Sequence, residues 1–289
     1  MFGSCAGGTL FSGTVVTPPI ALTNLPCAPG DALDLAVRAN DGGSVLATLA
    51  VTDEVFAPTL TIGGTYHVPQ AFTADITGLP AAVTGVSASM AVEVGAIELY
   101  GLSGSAAPTN GAVSFASAAF DNVPGGRLRS GMSLSTADQP ALQVYDNRAF
   151  DGTSATIAAD DLVPWVSGPV QDYATGTLAW SEIGGGSADT FFVLATAPDG
   201  SGHFVYAGGP LSGSAAITFP PLPPAYSSYS MVGPSPSPSP VSLLLLKLNG
   251  LAAAAKLDPI GIYFDLIYGT LATNVDADVT ASYSSANSN

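Results

Sequence analysis

Proline limits this chain before any other residue does. Its 289 residues include 23 prolines and 33 glycines. A proline within a helix removes one backbone hydrogen bond and clashes with the carbonyl four residues back, at a cost of about 3 kcal/mol. Placed as they are here, the prolines break most helices, and short alternating segments remain between them. Ala32–Ala39 alternates apolar and polar residues, the period of a half-buried strand. Asn40-Asp41-Gly42-Gly43 tolerates positive φ, and Ser44–Thr52 then resumes the pattern, which predicts a hairpin. Thr190–Thr196 and His203–Ala207 flank a second turn signal, Ala197-Pro198-Asp199-Gly200-Ser201-Gly202. Val92–Tyr100, Val241–Leu248, Ile260–Ile267 and Val275–Tyr283 read as further strands. Gly250–Leu257 is briefly helical in pattern, whereas Gly101–Ala107, rich in Gly and Ser, reads as a loop or a single turn. The fold class expected is all-β, of immunoglobulin-like β-sandwich type.

The chain also repeats itself. Leu35-Ala36-Val37 followed by Gly42-Gly43-Ser44 matches Leu178-Ala179-Trp180 followed by Gly185-Gly186-Ser187 at one spacing. Leu60-Thr61-Ile62-Gly63-Gly64 resembles Phe204-Val205-Tyr206-Ala207-Gly208-Gly209. Ile76-Thr77 with Leu79-Pro80 matches Ile217-Thr218 with Leu222-Pro223. Ile97-Glu98-Leu99-Tyr100-Gly101-Leu102 matches Leu246-Lys247-Leu248-Asn249-Gly250-Leu251. Four matches in one order predict two tandem homologous domains, residues 1–145 and 146–289. The second carries a Pro/Ser-rich insertion at 220–240. Ser-Pro repeats favour extended polyproline backbone and do not pair inside a sheet, so this insertion reads as a surface loop. A sharper reading makes it a binding loop carrying Tyr226 and Tyr229.

Charge narrows the function. Only 10% of residues are charged, with 6 Lys+Arg against 22 Asp+Glu, for a formal charge of -16. The imbalance comes from missing bases, since acids are not abundant. Phosphate backbones and anionic membrane surfaces repel such a chain, which argues against nucleic acid as a partner. Hydrophobic residues reach 47%, so a large core is available. The longest apolar stretch, Leu243–Ala255, is interrupted by Lys247, Asn249 and Gly250 and is too short to span a membrane. The opening residues lack the basic and apolar regions of a signal peptide.

No motif for chemistry stands out, and the expectation is no catalytic residue, no metal and no cofactor. His67 and His203 have no histidine neighbour at ligand spacing and read as strand-end or loop residues. No Gly-x-Ser-x-Gly elbow occurs, so a serine hydrolase using His203 and an Asp ranks last among the alternatives. Asp160-Asp161 and Asp276-x-Asp278 pair carboxylates, for which turn and solvated-edge roles weigh against calcium or glycosidase chemistry. Gly42-Gly43 and Gly184-Gly185-Gly186 precede strands, which removes the phosphate-cradling geometry of a helix N-terminus. Trp180 aligns with Val37 on an apolar face and reads as core. Trp165, beside Pro164, reads as core or as an exposed stacking platform for sugars.

Cys5 and Cys27 are the two cysteines. Together they suggest a disulfide closing a loop of about 22 residues, worth ~3 kcal/mol. The corresponding positions of the second half hold Arg148 and Val170, so the fold itself does not require a bridge there. A lipid anchor on Cys5 with Cys27 free is the competing reading, and reduced buried thiols the third.

Phe2-Gly3-Ser4-Cys5 resembles the end of a bacterial lipobox, in which small residues precede a cysteine that becomes lipidated. With the Ala/Gly/Thr-rich β pattern and the few lysines, the chain looks like surface lipoproteins of Gram-negative bacteria. That resemblance implies export, outer-surface display and outer-membrane attachment through Cys5; it carries over no catalytic residue. The function expected is therefore non-enzymatic and extracytoplasmic, in adhesion, assembly or scaffolding. Partners would be other surface proteins, further copies of the chain, or polysaccharide. The alternatives are a carbohydrate-binding module contacting its ligand through Trp165, Tyr226 and Tyr229, and a self-assembling filament or layer subunit, which low charge favours.

Overall fold

The computed structural model describes residues 2–5, 9–12, 27–41, 44–57, 62–95, 97–121, 123–137, 142–150, 152–172, 174–196, 202–211, 215–219, 223–225, 241–249 and 278–287. Among these the chain is all-β. Its strands form four sheets, and a short 3-10 turn lies at Ala159–Asp161.

Strands β1 (Phe2–Cys5), β2 (Thr9–Ser12), β3 (Ala32–Asp41) and β4 (Ser44–Val55) make a four-stranded sheet in the order β2-β1-β3-β4. Strands β5 (Gln70–Thr77), β8 (Val113–Phe120) and β11 (Ser154–Ala158) form a second sheet with β5 at its centre. Strands β12 (Trp165–Asp172), β13 (Thr177–Ile183) and β16 (Ala215–Thr218) form a third with β13 at its centre. The largest sheet uses β6 (Val83–Val94), β7 (Ile97–Ala106), β9 (Arg127–Thr136), β10 (Leu142–Ala149), β14 (Ala188–Thr196), β15 (Gly202–Leu211), β17 (Val241–Asn249) and β18 (Val279–Asn287). Its order is β15-β14-β17-β18-β10-β9-β6-β7.

Period-two burial explains the layering. Along β5, Phe72, Ala74 and Ile76 are buried while Thr73, Asp75 and Thr77 are not. The buried set joins Met90 and Val92 of β6, Leu128 and Leu134 of β9, Leu178 of β13 and Leu245 of β17 in one continuous core. Each such side chain contributes about 1.5–3 kcal/mol on burial. One core shared by the large sheet and both three-stranded sheets is the arrangement of a β-sandwich.

The hairpin predicted around residues 40–43 forms, with Asp41 opposite Ser44, and the second predicted hairpin forms as β14 and β15. Val92–Tyr100, expected as one strand, is instead a hairpin. Val94 lies opposite Ile97, and Gly95 takes a φ of +57 between them. Gly101–Ala106, expected as loop, is strand. The glycines there serve packing: a Cβ on Gly101 would collide with the Phe120 ring, and one on Gly104 would press on Phe115. Phe120 in turn stacks on Phe72, with ring centroids 4.2 Å apart. The segments 250–257 and 260–267 lie outside the described residues, as does nearly all of the 220–240 insertion.

The expected boundary at 145/146 falls inside β10. That strand pairs with β9 on one side and with β18 on the other, Tyr145 opposite Ala281 and Asn147 opposite Val279. β11 likewise pairs in parallel with β5, Ile157 opposite Ile76. The matched triplets 35–37 and 178–180 lie on β3, between β1 and β4, and on β13, between β12 and β16.

Cutting the chain at 145/146 therefore severs β10 and separates it from β18. Residues 1–145 and 146–289, produced separately, are expected to show no cooperative thermal transition by circular dichroism. Two halves that each melt cooperatively would refute the dependence on the shared sheet.

Candidate functional site

The structure joins Cys5 and Cys27 in a disulfide with their Cα atoms 5.5 Å apart. Cys5 is buried on β1, opposite Leu33 of β3, so the bridge fastens Cys27 to the first sheet. A sulfur in a disulfide has no free valence for a diacylglyceryl thioether. In this oxidised form Cys5 is neither a lipid anchor nor a free thiol.

Trp165 does not form a stacking platform. It is 1% exposed and belongs to the shared core. Two serines of β18 fix the backbone just before it: Val163 N–H donates to Ser282 Oγ at 2.8 Å, and Ser284 Oγ donates to the Pro164 carbonyl at 2.7 Å. The indole Nε1 finds no acceptor among the described residues. Tyr226 and Tyr229 lie outside the described residues. Trp180 is in the core as its pattern suggested, tilted against Phe191 at 5.5 Å.

His67 forms a two-way backbone bridge with Thr48, both N–H···O distances being 2.8 Å. His203 lies on β15. Asp160 and Asp161 sit on the 3-10 turn, where their backbone carbonyls accept from Lys247 Nζ at 3.0 Å and Asn249 Nδ2 at 2.8 Å. Asp276 lies outside the described residues. Among the described residues, no three His, Cys, Asp or Glu side chains converge as a metal site would require.

The polar groups that do converge surround the arginines. Asp146, 1% exposed, accepts from both Arg148 Nε and Nη2 at 2.6 Å and from Thr280 Oγ1 at 2.6 Å. Arg148 Nη1 reaches across to the Thr156 carbonyl of β11 at 3.1 Å, linking the large sheet to the sheet that faces it. The Asp146 carboxylate raises the arginine's proton affinity still further. Beside it, Asp278 accepts from the Ala149 N–H at 2.8 Å and from Arg127 at 2.9 Å, and those donors hold its pKa below the usual value. Arg38 pairs with the buried Asp121, which also accepts from Thr48 Oγ1 at 2.8 Å. Arg129 bonds Glu93 at 2.9 Å and Glu98 at 3.3 Å, and its guanidinium lies 5.6 Å from the Tyr145 ring centre. Burial pushes the Tyr145 phenol up to about 12, with Arg129 opposing that shift. Of these carboxylates only Asp278 was singled out in the sequence, as half of Asp276-x-Asp278. The available signal was scarcity: where cations are this few, each Arg within a strand marks a deliberate pairing.

A groove of about 450 Å³ opens over the solvent face of β5, with Asp75, Thr77, Ser114 and Thr156 on its floor. Its rim includes the turn Thr109-Asn110-Gly111-Ala112. That Asn-Gly pair was the one local signal for it in the sequence.

No protein-family model matches the chain, and no curated protein matches it either.

Two measurements follow from the clusters. Asp146→Ala leaves Arg148 and Thr280 without their acceptor and is expected to cost about 3 kcal/mol in urea denaturation, while Asp278→Asn, at the solvent edge, costs less than about 1 kcal/mol. Equal effects would remove Asp146 from its central role. Because the Tyr145 pKa is raised in the fold, its contribution is complete below the unfolded value near 10 and is lost as pH climbs through about 12. Absorbance titration should show a late-ionising tyrosine component that Tyr145→Phe removes.

Proposed function

We propose that this chain is a non-enzymatic, extracytoplasmic β-sandwich protein acting in adhesion, assembly or scaffolding. The observation that carries the reading is the placement of the cations among the described residues, Lys256 lying outside them. Arg38, Arg127, Arg129 and Arg148 are each tied to a carboxylate of the fold, and Lys247 to a backbone carbonyl. All five lie in strands. The exposed strand faces are joined instead by neutral hydroxyl contacts, such as Ser87 to Ser105 at 2.8 Å and Thr177 to Thr218 at 3.4 Å. Such a surface offers little for nucleic acid to grip and few sites for a trypsin-like protease. The Cys5–Cys27 bridge suits an oxidising compartment. Among the described residues no helix is long and apolar enough to cross a membrane.

The finer architecture belongs to the same proposal: two immunoglobulin-like halves related by duplication and merged through one sheet. Its support is the ordered set of sequence matches. A second reading, a filament or layer subunit, is favoured by β7. This edge strand of ten residues contains neither Lys nor Pro, the usual guards against edge-to-edge pairing.

The test is recovery of the native chain from fractionated cells, followed by intact mass and trypsin digestion without denaturant. Expected are an extracytoplasmic fraction, a mass lower by the two hydrogens of one disulfide, and no cleavage at Arg38, Arg127, Arg129, Arg148 or Lys247. A reduced chain recovered from the cytosol overturns the reading. Recovery as large particles favours the filament.

A further inference from the structure

The groove over β5 has properties of a binding site that the scaffold reading does not use. Asp75 sits at its centre on the middle strand of a three-stranded sheet. Ser114 of β8 lies opposite it on one side and Thr156 of β11 on the other. Side chains in register on one sheet face stand about 5 Å apart, so a carboxylate is flanked by two hydroxyls in a row. Thr77, two residues along β5, extends the row on the same face. The floor is held rigidly, because the neighbouring residues Ala74 and Ile76 point into the core. The rim is rigid as well. Asn110 and Gly111 take φ values of +53 and +74, the pattern of a tight two-residue turn. Leu79 N–H donates to the Gly111 carbonyl at 2.9 Å and anchors that turn. Ala106, Ala107 and Ala112 line the sides, and their small side chains keep the groove open.

Asp75 also differs from the carboxylates that the fold holds by its own donors, and shares with Glu54 of β4 a half-buried position without one among the described residues. Asp121, Asp146, Glu93 and Asp189 each accept from a donor of the chain itself. Asp75 is half-buried, and among the described residues no donor is paired with it. A half-buried carboxylate that no donor of the chain engages is available to exchange bound water for the hydroxyls of a ligand.

We propose that this groove binds a neutral, hydroxyl-rich ligand of the saccharide class, with Asp75 as the central acceptor. A carboxylate accepts from two neighbouring hydroxyls of a sugar at once. The Ser114 and Thr156 hydroxyls both donate and accept, as sugar hydroxyls do. The volume lies within the range of small-ligand sites, and the open side lets a chain pass through. With a single charged side chain on its lining, the groove offers a metal ion too few anionic ligands. The site is independent of the display reading, since a cytosolic, reduced chain would overturn that reading and leave this one standing.

The test is calorimetric titration of the oxidised full chain with cellohexaose, maltohexaose, xylohexaose and mannohexaose, and with spermidine as an amine probe. At least one hexasaccharide should bind at millimolar concentration. Asp75→Asn should weaken it about tenfold or more. Ala107→Trp, at an exposed rim position, should abolish binding while leaving the melting temperature unchanged, and Val170→Ser, exposed on β12, should alter neither. Failure of every hexasaccharide to bind overturns the proposal, as does binding that Asp75→Asn and Ala107→Trp leave intact. Binding of spermidine alone assigns Asp75 to an amine and overturns the saccharide class.

Discussion

The pairing of β10 with β18 is the joint on which the rest of this structure hangs, and the carboxylate of Asp146 secures it. The group is enclosed between layers, where an unpaired charge would be expensive. Two arginine nitrogens and a threonine hydroxyl compensate it, one partner from its own strand and one from β18. The same arginine then reaches the Thr156 carbonyl on β11. One ionic group thus sets the register of the two central strands and holds the opposing sheet against them. Removing it would leave the ladder bonds in place but misalign the layers that those bonds are meant to support.

Seen from this joint, charge scarcity has a structural meaning. A chain with few cations could scatter them over its surface for solubility. Among the described residues this one ties them into the fold: Arg38 over Asp121, Arg129 between Glu93 and Glu98, Arg127 against Asp278. They are fasteners, which leaves solvation of the exterior to hydroxyls and the remaining acids. Long-range positive fields are then not available to the described surface.

Much of the secondary structure could be read from the residues, because half-buried strands state their own period. Ala32–Leu35 alternates for that reason, with Leu33 and Leu35 buried and Ala32 and Asp34 not, and the leucine run Leu243–Leu246 is continuous because all four side chains are buried. Strand partners were not legible. The choice of β18 as neighbour to β10 is made by core shape and by Asp146, across a long stretch of intervening chain. Gly101 and Gly104 misled for a related reason: a glycine that makes room for a phenylalanine ring looks, in sequence, like one that makes a turn. Trp165 beside a proline left core and exposed readings open, and Ser282 and Ser284, far along the chain, hold the backbone just before it in the core. The row of Asp75 between Ser114 and Thr156 comes from three separate segments, so no local window could reveal it.

The central position of β18 also bears on time. Residues 142–149 gain their second sheet neighbour only when residues 279–287 have been made. Until then the largest sheet is in two pieces, each with an open flank, and its closure is a contact between residues distant in sequence. Such closures are slow, because a long loop must be ordered before the contact rewards it. A chain emerging from a ribosome would therefore stay loose through most of its synthesis and compact late.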